Sequence, residues 1–264
     1  MVLLLTGAID IKEFNIPSTT ITDVNERLSQ YLTSIDFAIT HYRLITDIVF
    51  CENTGFSFDY KPLKEKAIAN GKNLEIISFI GDYSRIAQKG KGFGEGEIIK
   101  YALNTSKILV ECSTFFKLTG RLIVKNMDQI VATTRSENSF IYHPKTIYRM
   151  PVDHIETFFY KVDKTIYIEN LNDAYEEVDE SRYRYLEHIF YERLFNFNFQ
   201  SFKLAPQISG ISGTSGESYI SGTKATILEK ISYFIGVHNL KKTISEKGMT
   251  LLLSYLLKIT RMIK

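Results

Sequence analysis

Residues 89–97 read KGKGFGEGE, so Gly90, Gly92, Gly94 and Gly96 alternate with Lys91, Phe93 and Glu95; further along, Lys117 and Arg121 flank Thr119 and Gly120. Glycine admits positive φ and lets backbone approach a ligand closely. Ile98, Ile99, Ala102 and Leu103 then fall on one helical face. The stretch therefore predicts a glycine loop opening a helix, where unpaired N–H groups and the positive dipole end attract an anion. With Lys89, Lys91, Lys117 and Arg121 close by in sequence, the expected chemistry is capture of a phosphate-bearing ligand. Plainer uses exist for the same residues. The glycines suit a tight turn with solvated lysines, and Lys117 and Arg121 suit ion pairs with Glu95, Glu97 or Glu111.

Such groups need a scaffold, and the preceding chain supplies one. Val2 to Thr6 is a short apolar run stopped by Gly7, the pattern of a parallel strand buried on both faces. Asp23 and Glu26 form a capping box, after which Val24, Leu28, Tyr31, Leu32, Ile35 and Ile39 recur at helical spacing. Ile45 to Cys51 predicts a second strand, Lys61 to Asn70 a helix stopped by Gly71, and Leu74 to Ile80 a third strand. Strand, helix, strand, helix, strand argues for a doubly wound parallel sheet, whose ligands bind beyond the strand ends. Thr6, Gly7 and Asp10 become candidates by position. Lys107 to Cys112 predicts a fourth strand; Leu122–Val124 with Ile130–Thr133 predict further strands or a sharp turn around Asn126, and Thr157–Tyr160 and Thr165–Ile168 predict short strands. Tyr183 to Phe195 predicts a helix and Pro206 to Gly222 a Ser/Gly/Thr loop of functional length.

Composition narrows the class. The chain has 264 residues, 44% hydrophobic and 23% charged, with a net charge of +2. That suits one large domain, alone or with a small appendage, and no surface-wide field for nucleic acid. Phe and Tyr are abundant and Trp is absent, which favours an aromatic core. Cys51 and Cys112 sit in apolar runs and read as buried free thiols of a reducing compartment. His41, His143, His154, His188 and His238 share no ligand spacing and read as surface or internally satisfied residues. The opening MVLLL is too short for a secretory segment, and no stretch reaches transmembrane length. Residues 224–264 carry an excess of Lys and Arg over Glu. Within them, 249–264 form a broad apolar face with a narrow polar stripe. Two readings stay open for this helix: it lies on an anionic membrane surface, or it docks on its own domain.

The succession LLLTGAID (3–10), ERLSQYLTSIDF (26–37), IVFCENTGF (48–56), KGKGFGEGEIIKYAL (89–103) and FFKLTGR (115–121) resembles a group of bacterial glycosyltransferases of capsule and lipopolysaccharide biosynthesis. It extends more loosely through YLEHIFYERL (185–194) and PQISGISGTSG. The resemblance implies an α/β, GT-A-like, Rossmann-related catalytic domain over 1–223 with a basic helical appendage over 224–264. It implies a nucleotide-sugar donor, a saccharide or lipid-linked acceptor, no tightly bound cofactor, no nucleic-acid partner, and work at the cytoplasmic face of the membrane. Thr6, Gly7, Glu52 and Asn53 would then lie near the base or ribose. Lys89, Lys91, Lys117 and Arg121 would lie near the diphosphate, and Gly92, Gly94, Glu95, Thr119 and Gly120 would also belong to the donor site.

One departure bears on mechanism. Transferases of this fold commonly carry an Asp-x-Asp metal motif about where this chain has FFKLTGR, and the sequence contains no Asp-x-Asp. A departing diphosphate needs compensating positive charge, so metal independence is expected, with Lys117 and Arg121 in the metal's place. Asp82 or Asp153 could still hold an ion with the help of donor phosphates. For the base that deprotonates an acceptor hydroxyl, the candidates are Asp153, with His154 and Glu156 beside it, and Glu187. A sugar nucleotidyltransferase and a non-catalytic, membrane-associated scaffold are the competing readings.

Overall fold

β1 (Val2–Gly7) is buried along its whole length because it runs between two parallel neighbours, β2 (Asp47–Glu52) and β4 (Thr114–Thr119). β3 (Asn73–Ser78) extends the sheet beyond β2, and antiparallel β8 (Phe159–Asp163) closes the far edge, giving the order β3-β2-β1-β4-β8. This α/β, mostly parallel sheet is the expected fold class. The structure is a computed structural model describing residues 1–14, 19–143, 153–197, 199–211 and 233. The basic segment 249–264, and with it the expected helical appendage, lies outside the described residues, as does most of the loop expected over 206–222.

Period-two alternation along the strands sends side chains to two cores. Leu3, Leu5, Ile48, Phe50, Phe116 and Leu118 face α1 (Val24–His41), whose Tyr31, Ile35, Ala38 and Ile39 complete that layer. Leu4, Val49 and Phe115 face the opposite way, onto Ile98, Ile99 and Ala102 of the glycine-started helix and onto Tyr167, Leu186 and Phe190. Each such buried side chain contributes roughly 1.5–3 kcal/mol, enough for the sheet to impose itself on weaker local preferences. α1 starts where the capping box predicts, with the Asp23 carboxylate accepting from Glu26 N at 2.8 Å. α2 (Lys61–Ala69) follows β2 as expected.

Several local expectations fail, each for a visible reason. The glycine stretch is helical: α3 (Tyr83–Lys89) gives way at Gly90, φ 108°, to α4 (Lys91–Thr105). Lys107 to Cys112 holds α5 (Lys107–Glu111) in place of a fourth strand. The Glu75 carboxylate accepts from Lys107 N at 3.0 Å and Ile108 N at 3.2 Å, and Ser106 Oγ accepts from Leu109 N at 3.0 Å. A carboxylate reaching over from β3 thus caps a helix that apolar content alone would make a strand.

Past β5 (Ile123–Val124), Ile130–Thr133 belongs to α6 (Met127–Thr133). β6 (Tyr142–His143) pairs with β7 (His154–Ile155). Thr165–Ile168 belongs to α7 (Lys164–Asn170), where Asp163 accepts from Ile166 N at 3.0 Å. α8 (Leu186–Leu194) fills the helix expected near 183–195, and β9 (Ile208–Ser209) returns from PQISG to pair with β5.

Candidate functional site

A cavity of about 580 Å³ opens beyond the C-terminal ends of β1 and β4. These strands flank the point where the order reverses, the place where open α/β sheets bind ligands. Thr6, Gly7, Asn53, Lys89, Lys91, Gly92, Gly94, Glu95, Thr119, Arg121 and Glu187 all line it. Residues far apart in sequence, from β1, α4, β4 and α8, are thereby brought to one cavity.

Lys117, Gly120, Glu52 and Asp153 do not line it. Lys117 is wholly buried beneath the floor. Its ammonium donates to Glu95 Oε1, to Thr157 O at 2.7 Å and to Thr119 Oγ1 at 3.3 Å. Burial holds the Lys117 pKa down, with Glu95 opposing that shift. The ion pair with Glu95 that its sequence also suited is the arrangement found. Gly120 packs under β1, where a Cβ would stand 2.7 Å from Thr6 O. Glu52 organises its own turn, accepting from Thr54 N at 2.8 Å and Phe56 N at 3.0 Å. Asp153 accepts from Tyr191 Oη at 3.3 Å. Asp82 is the α3 N-cap, accepting from Arg85 N at 3.0 Å.

The glycines of α4 serve helix packing. A Cβ on Gly96 would lie 2.2 Å from Tyr175 Cβ, and one on Gly90 2.2 Å from Glu180 Cδ. Glu180 moreover occupies the helix start, accepting from Gly92 N at 2.8 Å. Burial raises the Glu180 pKa, and these backbone donors oppose the rise. The anion expected at this helix terminus is thus one of the chain's own carboxylates. Lys89 likewise turns to the chain, donating to Glu176 O and lying over the Phe93 ring.

Cationic groups gather on another side. Arg27, buried on the sheet-facing stripe of α1, donates Nε to Ala8 O at 2.8 Å and Nη1 to Ile21 O at 3.0 Å. Arg121 donates Nη1 to Gln30 Oε1 at 3.2 Å, and its buried Nε meets no hydrogen-bond acceptor among the described residues. The pKa of Lys91 is lowered by burial first; Glu180 opposes this, and the charges of Arg121 and Arg27 add to it. Arg27, Lys91 and Arg121 therefore share one electrostatic neighbourhood. Arg27 was missed in sequence. Its position four residues before Tyr31 on the buried stripe was the available signal.

Carboxylates line the same cavity. Glu187 Oε1 accepts from Thr157 Oγ1 at 2.8 Å, and that hydroxyl lies 3.3 Å from Glu95 Oε2. Desolvation first, aided by the charges of Glu156 and Glu95 and opposed by hydrogen bonds from its own backbone N–H and from Thr157, pushes the Glu187 pKa up from 4.5 to about 7. A carboxyl poised near neutrality can take or give a proton, as an acid–base catalyst must. Thr157, which links the two carboxylates, carried no sequence signal. At the end of β4, where an Asp-x-Asp would be sought, the chain offers the hydroxyl of Thr119, Gly120 and the guanidinium of Arg121. That donor set does not fit a divalent ion.

No family model matches the sequence, and no curated protein matches it. Among solved structures, the glycosyltransferase GlyE of Streptococcus pneumoniae TIGR4 is similar at 12% identity and a TM-score of 0.47, over 76% of this chain and 44% of that one. The nucleoside-diphosphate-sugar pyrophosphorylase of Vibrio cholerae RC9 is similar at 14% identity and a TM-score of 0.41, over 73% of this chain and 86% of that one. An active-site mutant of LgtC is similar at 11% identity and a TM-score of 0.39, over 73% of this chain and 70% of that one. The chain spans less than half the length of GlyE. At these identities and TM-scores the likenesses carry no argument about this chain.

Proposed function

We propose that the chain is a glycosyltransferase that moves a sugar from a nucleotide-diphosphate donor to a hydroxyl of a saccharide or lipid-linked acceptor. The observation supporting this is that one cavity at the strand ends holds charges of both signs: Arg27, Lys91 and Arg121, with Glu180 beside Lys91, and Glu187 with Glu95 and Glu156. Arg121 offers the leaving diphosphate a bidentate fork, and Lys91 a point charge. Thr6, Gly7 and Asn53 lie at the β1 and β2 ends, where the nucleoside would rest.

In the transfer, the acceptor oxygen bonds to the anomeric carbon as the bond from that carbon to the diphosphate breaks. The diphosphate leaves with the electron pair, and the hydroxyl proton passes to the Glu187 carboxylate. Lys117 acts through Glu95, fixing the carboxylate that stands beside Thr157 and Glu187. A role in bacterial surface-polysaccharide assembly rests on the sequence resemblance. Attachment at the inner membrane face would fall to residues 249–264.

Thermal-shift measurement with UDP, GDP, CMP and their sugar conjugates tests the reading. A nucleotide that raises Tm, and whose sugar is then released or transferred, supports it. Absence of any nucleotide effect overturns it. Pyrophosphate-dependent release of a nucleoside triphosphate would mark a nucleotidyltransferase instead.

A further inference from the structure

The geometry points to a divalent transition-metal site made by His143, His154 and Glu156, separate from the groups assigned above to donor binding. β6 and β7 pair antiparallel with His143 directly opposite His154, and directly opposed residues project from the same face of a two-stranded ribbon. Their rings stack at 5.1 Å between centroids, 12° from parallel. Both Nε2 atoms converge on a single carboxylate oxygen: His143 Nε2 lies 3.3 Å and His154 Nε2 3.6 Å from Glu156 Oε1. One ligand atom from each residue falls within 4.8 Å of the other two.

The two histidine-to-carboxylate separations come close to those an ion would impose. With metal–ligand bonds of about 2.0–2.1 Å, the edge of a coordination tetrahedron is about 3.3–3.4 Å. A divalent ion uses two neutral imidazoles and one carboxylate together. Two nitrogens and one oxygen suit zinc and its neighbours better than magnesium or calcium, which prefer all-oxygen shells.

The site is also anchored and accessible. Glu156 N donates to Ile141 O at 2.9 Å, fixing the carboxylate to the hairpin. His154 is buried, His143 and Glu156 are half-buried, and Glu156 lines the cavity. Three protein ligands leave a position for water or for an oxygen of a molecule in that cavity.

Cobalt(II) reports such a site without reference to activity. The full-length chain, dialysed against chelator, is titrated with Co²⁺ while visible absorption is followed, and Zn²⁺ is then added in competition. One equivalent of Co²⁺, displaced by Zn²⁺, is expected. Glu156→Gln and His143→Ala, both half-buried positions, should each weaken binding at least about tenfold, the least that losing even a supporter of a ligand costs. Their metal-free circular dichroism should be unchanged. Absence of saturable binding overturns the site, as does binding that survives Glu156→Gln and His143→Ala undiminished. If one variant misfolds, the other decides.

Discussion

The ammonium of Lys117, with no solvent exposure, is bonded to the Glu95 carboxylate, tying the middle of β4 to the first turns of α4. A cation that the sequence offers as a ligand for phosphate is therefore an internal brace of the cavity floor.

Lys117→Ala should destabilise the fold by about 3 kcal/mol, because removing one partner leaves the other carboxylate uncompensated in a low-dielectric site. Replacing both partners, with Lys117→Met and Glu95→Gln, should recover part of that loss. Urea denaturation of the wild type and these two variants measures both effects.

Arg121→Ala should separate binding from stability. Among the described residues its guanidinium has one hydrogen bond, to Gln30, and a buried Nε without an acceptor. Stability should therefore change by less than about 1 kcal/mol. Loss of charge-assisted bonds to a diphosphate costs about 1.5–3 kcal/mol, so nucleoside-diphosphate affinity should fall about 10- to 100-fold. Calorimetric titration of UDP or GDP into both proteins reads the difference; an unchanged Kd would remove Arg121 from the donor site.

Glu187 links pH to stability. Its carboxyl keeps its proton up to about 7 in the fold, against an ordinary value of 4.5. Between those values the unfolded chain binds fewer protons than the native one, so its contribution to stability falls as pH rises through this window. Glu187→Gln should flatten the dependence, raising the urea midpoint relative to wild type at pH 8 and not at pH 4. If Glu187 is the catalytic base, kcat/KM of the wild type should rise with pH through about 7.

Two glycines of α4 should respond oppositely to alanine. At Gly96 the new methyl would meet Tyr175 Cβ at 2.2 Å, a clash within the core, and overpacking of this kind costs about 1–3 kcal/mol. At Gly94 the nearest atoms are the Asn53 and Ile86 side chains, at 3.3 and 3.4 Å. There the gain in helix propensity, about 0.5–1 kcal/mol, should offset the tighter fit. Thermal melts of Gly94→Ala and Gly96→Ala distinguish the two.

Much of the frame was legible in sequence because it is written in local, repeated terms. The buried run Val2 to Thr6, the capped stripe of α1 and the following strands carry their period in every turn or pleat. A parallel sheet then leaves few places for a ligand, which is why Thr6, Gly7, Asn53, Thr119 and Arg121 were found at one cavity.

What the chain could not disclose residue by residue was decided by partners distant in sequence. Alternating glycines suit a loop until Tyr175 and Glu180 press against them, when they become the close-packing face of a helix. Lys117 resembles a ligand until β4 places it under the cavity floor, opposite Glu95. His143 and His154 share no ligand spacing, yet strand pairing sets them face to face beside Glu156. Spacing along a chain measures distance within one helix or strand; which charges meet, and whether water reaches them, is settled by how those elements pack.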